Sequence, residues 1–317
     1  MCWNMNFNPI FYKPLSFFLI ICMGYLLKKK GFFGKTDYRV ISKIVLNFTL
    51  PAAVICTFAG FERDGSLFVI VFLGFLCSLL PMLAVYLLSF RQEKDRRVFS
   101  MINTAGYGIG SFTLPLIQGF FGAYGGVICC MFDTGNAVMM TGGSYVITTT
   151  LLHLEGETEE SRGEKIKGIL KKFITSVSFD TYMLMLLLAA CGIRLPAAAA
   201  ALAAPVSAAN PYLAMLVVGM MFEPAGDMSY VKDTVVVIAS RLAFAVLFAL
   251  LLYFCTPFSL EVRRVLAVVA FSPVSTLAPI YTEKCHGDGS LSSYANAISI
   301  LLSLFIMSAL VYGMGVS

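Results

Sequence analysis

Ten apolar runs of about twenty residues follow one another along this chain, and no polar block between them is large enough for a soluble domain. As a helix, a run of that length crosses the roughly 30 Å hydrocarbon core of a bilayer. No water reaches that core to receive peptide groups, so a spanning segment must satisfy its own backbone, and a helix does so within one segment. An all-α integral membrane protein is therefore predicted. Composition agrees: 58% of residues are hydrophobic and 13% charged, where soluble domains carry about a quarter charged residues.

The runs fall at about 9–27, 40–61, 66–90, 98–120, 125–151, 175–193, 197–222, 231–254, 265–281 and 290–312. Basic residues sort among the linkers. Those after the first, third and fifth runs hold Lys28, Lys29, Lys30 and Lys35, then Arg91, Lys94, Arg96 and Arg97, then Arg162, Lys165, Lys167, Lys171 and Lys172. Those after the second, fourth and sixth hold little beyond Arg63 and Arg194. The positive-inside rule puts the odd-numbered linkers in the cytoplasm of a cell-membrane protein, with both termini outside. Arg263 and Arg264 dissent. This topology accounts for the net charge of +5 without a nucleic-acid partner. The first basic cluster follows the first apolar run and no small-x-small site intervenes, so that run is expected to be a retained span and not a cleaved signal.

Nine cysteines are scattered through the apolar segments with no Cys-x-x-Cys spacing, and His153 and His286 fall in expected loops. That pattern points to no metal, no cofactor and no disulfide framework. A membrane-embedded protease needs a Ser/His dyad, paired aspartates or a His-Glu-x-x-His helix. The sequence offers none, so no enzyme is expected.

Two of the runs are unlike the others. Arg96-Arg97-Val98 opens one and Arg263-Arg264-Val265 the other, and each turns rich in Gly, Ser, Thr and Pro at about mid-membrane depth. The first reads Gly106-Tyr107-Gly108-Ile109-Gly110-Ser111-Phe112-Thr113-Leu114-Pro115, the second Ser272-Pro273-Val274-Ser275-Thr276-Leu277-Ala278-Pro279. Glycine raises the entropic cost of a helix, and proline removes a donor and clashes with the preceding turn. Interrupted spans at matching places in two halves point to the binding site of a secondary transporter. A weaker match relates Asn47-Phe48-Thr49-Leu50-Pro51 to Asn210-Pro211. Five spans per half would invert the second copy, giving repeats at 1–152 and 173–317 with a cytoplasmic linker at 153–172.

The segment Gly108 to Leu116, then Phe121-Gly122, then Phe132-Asp133-Thr134-Gly135-Asn136-Ala137 resembles the auxin efflux carrier family of permeases in its bacterial branch. Leu50-Pro51, Asn210-Pro211, Pro273 to Pro279, and Asn296-Ala297-Ile298-Ser299-Ile300 leading to Ser303 fit the same pattern. The resemblance implies ten transmembrane helices in two inverted five-helix repeats, with broken fourth and ninth helices crossing at the midplane. It also implies a scaffold of spans one, two, six and seven that often dimerises, and a mobile transport bundle. Relatives move small organic anions such as indole acetate, malate or malonate. The long cytoplasmic loop of the plant members is missing, so their regulation does not carry over. The alanine run 197–201 suits close helix contact, compatible with a homodimer.

Crossed breaks would expose N–H groups at one broken end and C=O groups at the other, able to hold an anion and a cation respectively. The candidate substrate residues are Gly108, Gly110, Ser111, Thr113, Pro115, Asp133, Asn136, Arg241, Ser272, Pro273, Ser275, Thr276, Pro279 and Asn296. For the hydroxyls, back-bonding to the preceding turn competes with ligand contact. Asp133 and Arg241 are mid-span charges, which normally face a cavity or a partner. Either they neutralise one another, or Arg241 attracts a substrate carboxylate while Asp133 takes up a coupled proton or a cation such as sodium. Asp180 is expected at the interface, and Lys13 and Lys43 are expected to snorkel. Asn47 and Asn296 are read either as site residues or as interhelical glue. The leading expectation is an alternating-access carrier of small organic anions. The alternative is a cation/proton antiporter of related crossed-helix architecture, which would present paired carboxylates at the crossing.

Overall fold

The computed structural model describes residues 12–34, 36–59, 61, 65–154, 177–222 and 228–315, and among them all regular structure is helical. Most of the expected linker 153–172, with its five basic residues, lies outside the described residues, as do Lys35, Arg63 and the side chain of Lys13.

In chain order, α1 is Tyr12–Lys29, α2 Tyr38–Ile44, α3 Leu50–Phe58, α4 Val69–Leu88, α5 Lys94–Thr104, α6 Leu114–Val138 and α7 Ser144–Leu151. There follow α8 Val177–Ala190, α9 Ala197–Ala208, α10 Asn210–Met221, α11 Met228–Phe254, α12 Leu260–Val269, α13 Ala278–Lys284 and α14 Gly289–Gly313. Six helical stretches among the described residues are long and apolar enough to cross a membrane. The chain is thus a multi-pass membrane protein.

The prolines are helix starters more than helix breakers. Pro51, Pro115, Pro211 and Pro279 all stand in the first two positions of an α-helical segment; at Pro279, which follows irregular chain, the N–H that proline lacks would have no partner anyway. Two of them follow a widened π-helical turn, Val45–Thr49 before Pro51 and Ile109–Thr113 before Pro115. An extra residue in the turn moves the carbonyl four residues back away from the proline ring, which relieves the clash and keeps the helix continuous. The expected spans at 98–120 and 125–151 are not parted by a loop. The helical stretch Ile109–Leu151 is two helices meeting at Gly122, which adopts φ 65°, ψ −159°, a conformation that glycine alone adopts readily. The chain doubles back there, so a Cβ at Gly126 would sit 3.0 Å from the Gln118 side chain. In a straight helix those residues are about 12 Å apart along the axis.

Polarity is inverted relative to a soluble protein. Leu88, Leu202, Phe254 and Phe305 lie on the outside, while Asn103, Asn136, Thr148, Asn210 and Arg241 are buried. Without a hydrophobic drive between helices in lipid, close packing through small residues holds the bundle. A Cβ on Gly74 or Gly135 would overlap the backbone of Phe132 or Val71, which locks α4 against α6. Gly24 and Gly219 press in the same way on the backbones of Leu216 and Ile21, joining α1 to α10.

Gly135→Val should therefore force α4 and α6 apart, an overpacking penalty of about 1–3 kcal/mol or more. The detergent-solubilised variant is expected to melt several degrees below wild type. Gly313→Ala, whose Cβ meets nothing, should melt with wild type; equal losses in both would refute the packing account.

Candidate functional site

Two chain breaks meet inside the bundle. After α5 the backbone turns extended at Ala105, passes through Gly106 at φ 67°, and re-enters helix at Ile109. After α12 it is irregular from Ala270 to Leu277 before α13 begins. The Gly108 N–H donates to the Pro273 carbonyl at 2.9 Å, and the Thr113 hydroxyl donates to the Ser272 Oγ at 2.8 Å. A Cβ on Gly108 would lie 2.9 Å from the Val274 carbonyl oxygen, so this approach needs glycine.

Each break is held by an asparagine from a helix further along the chain. Asn136 on α6 accepts from the Tyr107 N–H at 2.8 Å and donates to the Tyr107 carbonyl at 2.9 Å. Asn296 on α14 donates to the carbonyls of Val274 and Ser275 at 2.8 and 3.0 Å, and the Ser299 hydroxyl accepts from the Val274 N–H. Both amides are nearly or fully buried. They do for the freed peptide groups what water does elsewhere.

Arg241, on α11, reaches the crossing from the side. One terminal nitrogen donates to the carbonyls of Asn103, Thr104 and Gly106 at 3.0–3.1 Å, the other to those of Ser272 and Pro273 at 3.1–3.2 Å. Its guanidinium carbon stands 5.0 Å from the centre of the Tyr107 ring. The last carbonyls of a helix have no partner within it, and the C-terminal end carries partial negative charge, so a cation belongs there. The two nitrogens share four N–H groups among these five carbonyls, and four charge-assisted bonds at about 1.5–3 kcal/mol each outweigh the roughly 2.5–3.5 kcal/mol that insertion scales assign to a mid-membrane arginine. Among the described residues Arg241 makes no ion pair with a carboxylate, Asp133 included. Its donors point at backbone, so the expected pairing of Arg241 with Asp133 does not form.

Asp133 belongs to a different part of the site. Its Oδ1 accepts from the Asn136 amide at 2.9 Å and its Oδ2 from the Tyr182 hydroxyl at 3.0 Å, and Gly110 lies beside the carboxylate, where a Cβ would fall 3.4 Å from Oδ2. The carboxylate borders a cavity of about 120 Å³. Gly110 and Ser111 line it from the start of the second half of the first broken helix, Thr276 and Leu277 from the second break, and Tyr182 and Ser178 from α8. One cavity thus brings together four of the expected residues, Gly110, Ser111, Asp133 and Thr276.

The other candidates hold the crossing itself. The Ser272 hydroxyl donates back to Val269 at 2.6 Å, and Ser275 accepts from the Leu277 N–H. Thr113, Gly108, Pro273, Asn136 and Asn296 bind break to break or helix to break, as above. Pro115 and Pro279 are buried starts of the second half-helices. Asp180 is exposed, and Asn47 is exposed and bonded within its own helix to Lys43. Its neighbour Thr49 instead donates to Asn210 at 2.9 Å, joining the two Pro-marked helices. Sequence reasoning missed Tyr182 and Tyr107. A phenol in an apolar run is the only signal either gives, and tyrosines are common near membrane interfaces.

A family model described as a membrane transport protein matches residues 9–173, just over half of the chain. An uncharacterized transporter of Methanothermobacter thermautotrophicus is 24% identical over 147 residues, covering 45% of this chain and 47% of the relative. The chain thus matches about half the length of that curated relative.

Asn136→Leu keeps the branching and heavy-atom count of the clamp and strands the Tyr107 N–H and carbonyl. At about 1–3 kcal/mol for each buried group left unpaired, it should be strongly destabilising, and Asn296→Leu comparably so. Asn47→Leu should change little. Thermal unfolding of the three variants in one detergent checks the ranking; an Asn136→Leu protein as stable as Asn47→Leu would show that the amide is not holding the break.

Proposed function

The chain belongs to the membrane transport protein family, the auxin efflux carriers, and from that premise we propose that it is a secondary carrier of small organic anions working by alternating access. In this reading ten spans form two inverted five-helix repeats, at 1–152 and 173–317, in the cytoplasmic membrane with both termini outside. Spans four and nine are the broken helices. Spans one, two, six and seven serve as a scaffold, through which two copies can dimerise, and the other spans rock against it.

The observation that carries this reading is the cavity bordered by Asp133. Its floor is the start of a half-helix, where N–H groups lack helix partners, and its walls offer the hydroxyls of Ser111, Thr276 and Tyr182. Those donors suit a carboxylate. At present Asp133 itself accepts from the Tyr182 hydroxyl and lies beside Gly110, so it and an incoming anion compete for the cavity's donors as well as repelling each other. A proton on Asp133 removes the repulsion and releases those donors to the substrate. Loading of anion and proton together follows, and the carrier is a proton-coupled symporter. The titratable groups facing Asp133 are Tyr182 from α8 and Cys129 and Cys130 from its own helix.

A cation/proton antiporter is the less supported alternative. It calls for a second carboxylate at the crossing, and Asp133 is the one carboxylate among the described residues lining the cavity.

Uptake of radiolabelled malate, malonate and indole acetate into proteoliposomes tests the proposal. Saturable uptake of at least one, raised several-fold by an inwardly directed proton gradient, is expected. Asp133→Asn, which carries no charge in either state, should still take up substrate but lose the response to the gradient. Pro273→Ala should insert normally and transport poorly. Cation-for-proton exchange without any carboxylate flux would replace this reading with the antiporter.

A further inference from the structure

We propose that Arg241 is a built-in cation that stands where a carrier of this design would otherwise load a metal ion, so that the crossing binds no sodium. The inference extends the carrier reading and rests on it only for its meaning in the transport cycle; the chemistry of the site is independent of it. Broken-helix transporters hold a coupled sodium ion with unwound backbone carbonyls and half-helix C-terminal ends. Here five such carbonyls, those of Asn103, Thr104, Gly106, Ser272 and Pro273, converge on one guanidinium at 3.0–3.2 Å. Two come from the last turn of α5, one from the first break and two from the second. The side chain is 9% exposed, and the Tyr107 ring lies against the guanidinium.

Three features separate a resident cation from an ordinary buried arginine. All five acceptors are backbone oxygens at chain breaks, so the charge neutralises two interrupted helices at once and, among the described residues, pairs with no carboxylate. Arginine keeps its proton at any pH a cell meets, so the positive charge is constant through the cycle. The charge is also tethered, and cannot leave with the substrate or be set by a sodium gradient. The exchangeable charge that remains beside the crossing is Asp133, in its own cavity on the other side of Tyr107 and Asn136.

The test is a cation titration of thermal unfolding on the full-length protein in detergent, at constant ionic strength. Wild type should melt at the same temperature in sodium, potassium and choline chlorides. Arg241→Ala empties the carbonyl cluster. It should melt several degrees lower and regain at least half of that loss, saturably, with millimolar guanidinium or sodium but not with choline. Saturable stabilisation of wild type by sodium would overturn the proposal, as would an Arg241→Ala protein that answers neither ion. Should Arg241→Ala not fold, Arg241→Lys and Arg241→Gln decide in the same assay. Lysine, which keeps the charge, should melt closer to wild type than glutamine, and an equal or reversed order would overturn the proposal. None of these readings requires transport, so a carrier that moves no carboxylate would sink the proposed function and leave this result standing on its own.

Discussion

Peptide groups released from a helix inside a lipid layer must find partners within the protein, and the arrangement of this molecule follows from where it finds them. Two helices stop in the interior, at Thr104 and Val269. In water each stop would be cheap. In hydrocarbon every orphaned group costs several kcal/mol, so a solitary break would destabilise the bundle. Bringing the breaks together lets them share partners: one peptide bonds to the other directly, two asparagines clip the unwound turns, and one guanidinium donates to the carbonyls of both.

That solution divides the crossing into two electrical environments. On the carbonyl side the negative ends face a permanent cation, and little space is left beside it, about 20 Å³. On the amide side lies a larger cavity whose charged wall is a carboxylate. A permanently charged group cannot report on solvent or gradient, whereas a carboxylate can exchange its proton. The two sides are therefore unequal in what they can do. The first keeps the breaks in register, and the second can change state.

Much of this was legible in the residues. The Gly/Pro clusters marked the interruptions because few other sequences tolerate interior backbone outside helix, and the buried Asp133 and Asn136 stood out as expensive polar groups in an apolar run. What the residues concealed was direction. Arg241 and Asp133 looked like partners because opposite charges at similar depth invite pairing, yet depth along a helix says nothing of which face a side chain takes. Pro115 and Pro279 looked like the breaks and are the restarts, since a missing N–H is as compatible with a first turn as with an interruption. The reversal at Gly122 falls in the gap between the expected spans 98–120 and 125–151, where glycines interrupt the apolar run. The uncharged Tyr182 could not be placed because only the folded chain brings α8 against α6.

Under the two-repeat reading, the asparagine clamps supply an internal comparison. Asn136 and Asn296 each precede an alanine and each secures the break of its own half. Three residues earlier the halves part company: Asp133 in the first, Ser293 in the second. The helices before the breaks differ as well. Ser78 on α4 can donate to Asn136 at 2.9 Å, while Arg241 on α11 gathers carbonyls from both breaks. The shared clamps are what any pair of interior breaks requires, so they fit in either half. The carboxylate and the guanidinium answer a narrower need, because two copies of either would place like charges around one crossing. A carboxylate from one half and an arginine from the other keep the centre close to neutral while leaving one of the two charges free to take a proton. Under that reading, two matching clamps and two unmatched charges are consequences of the same requirement, that the groups freed at this depth find partners.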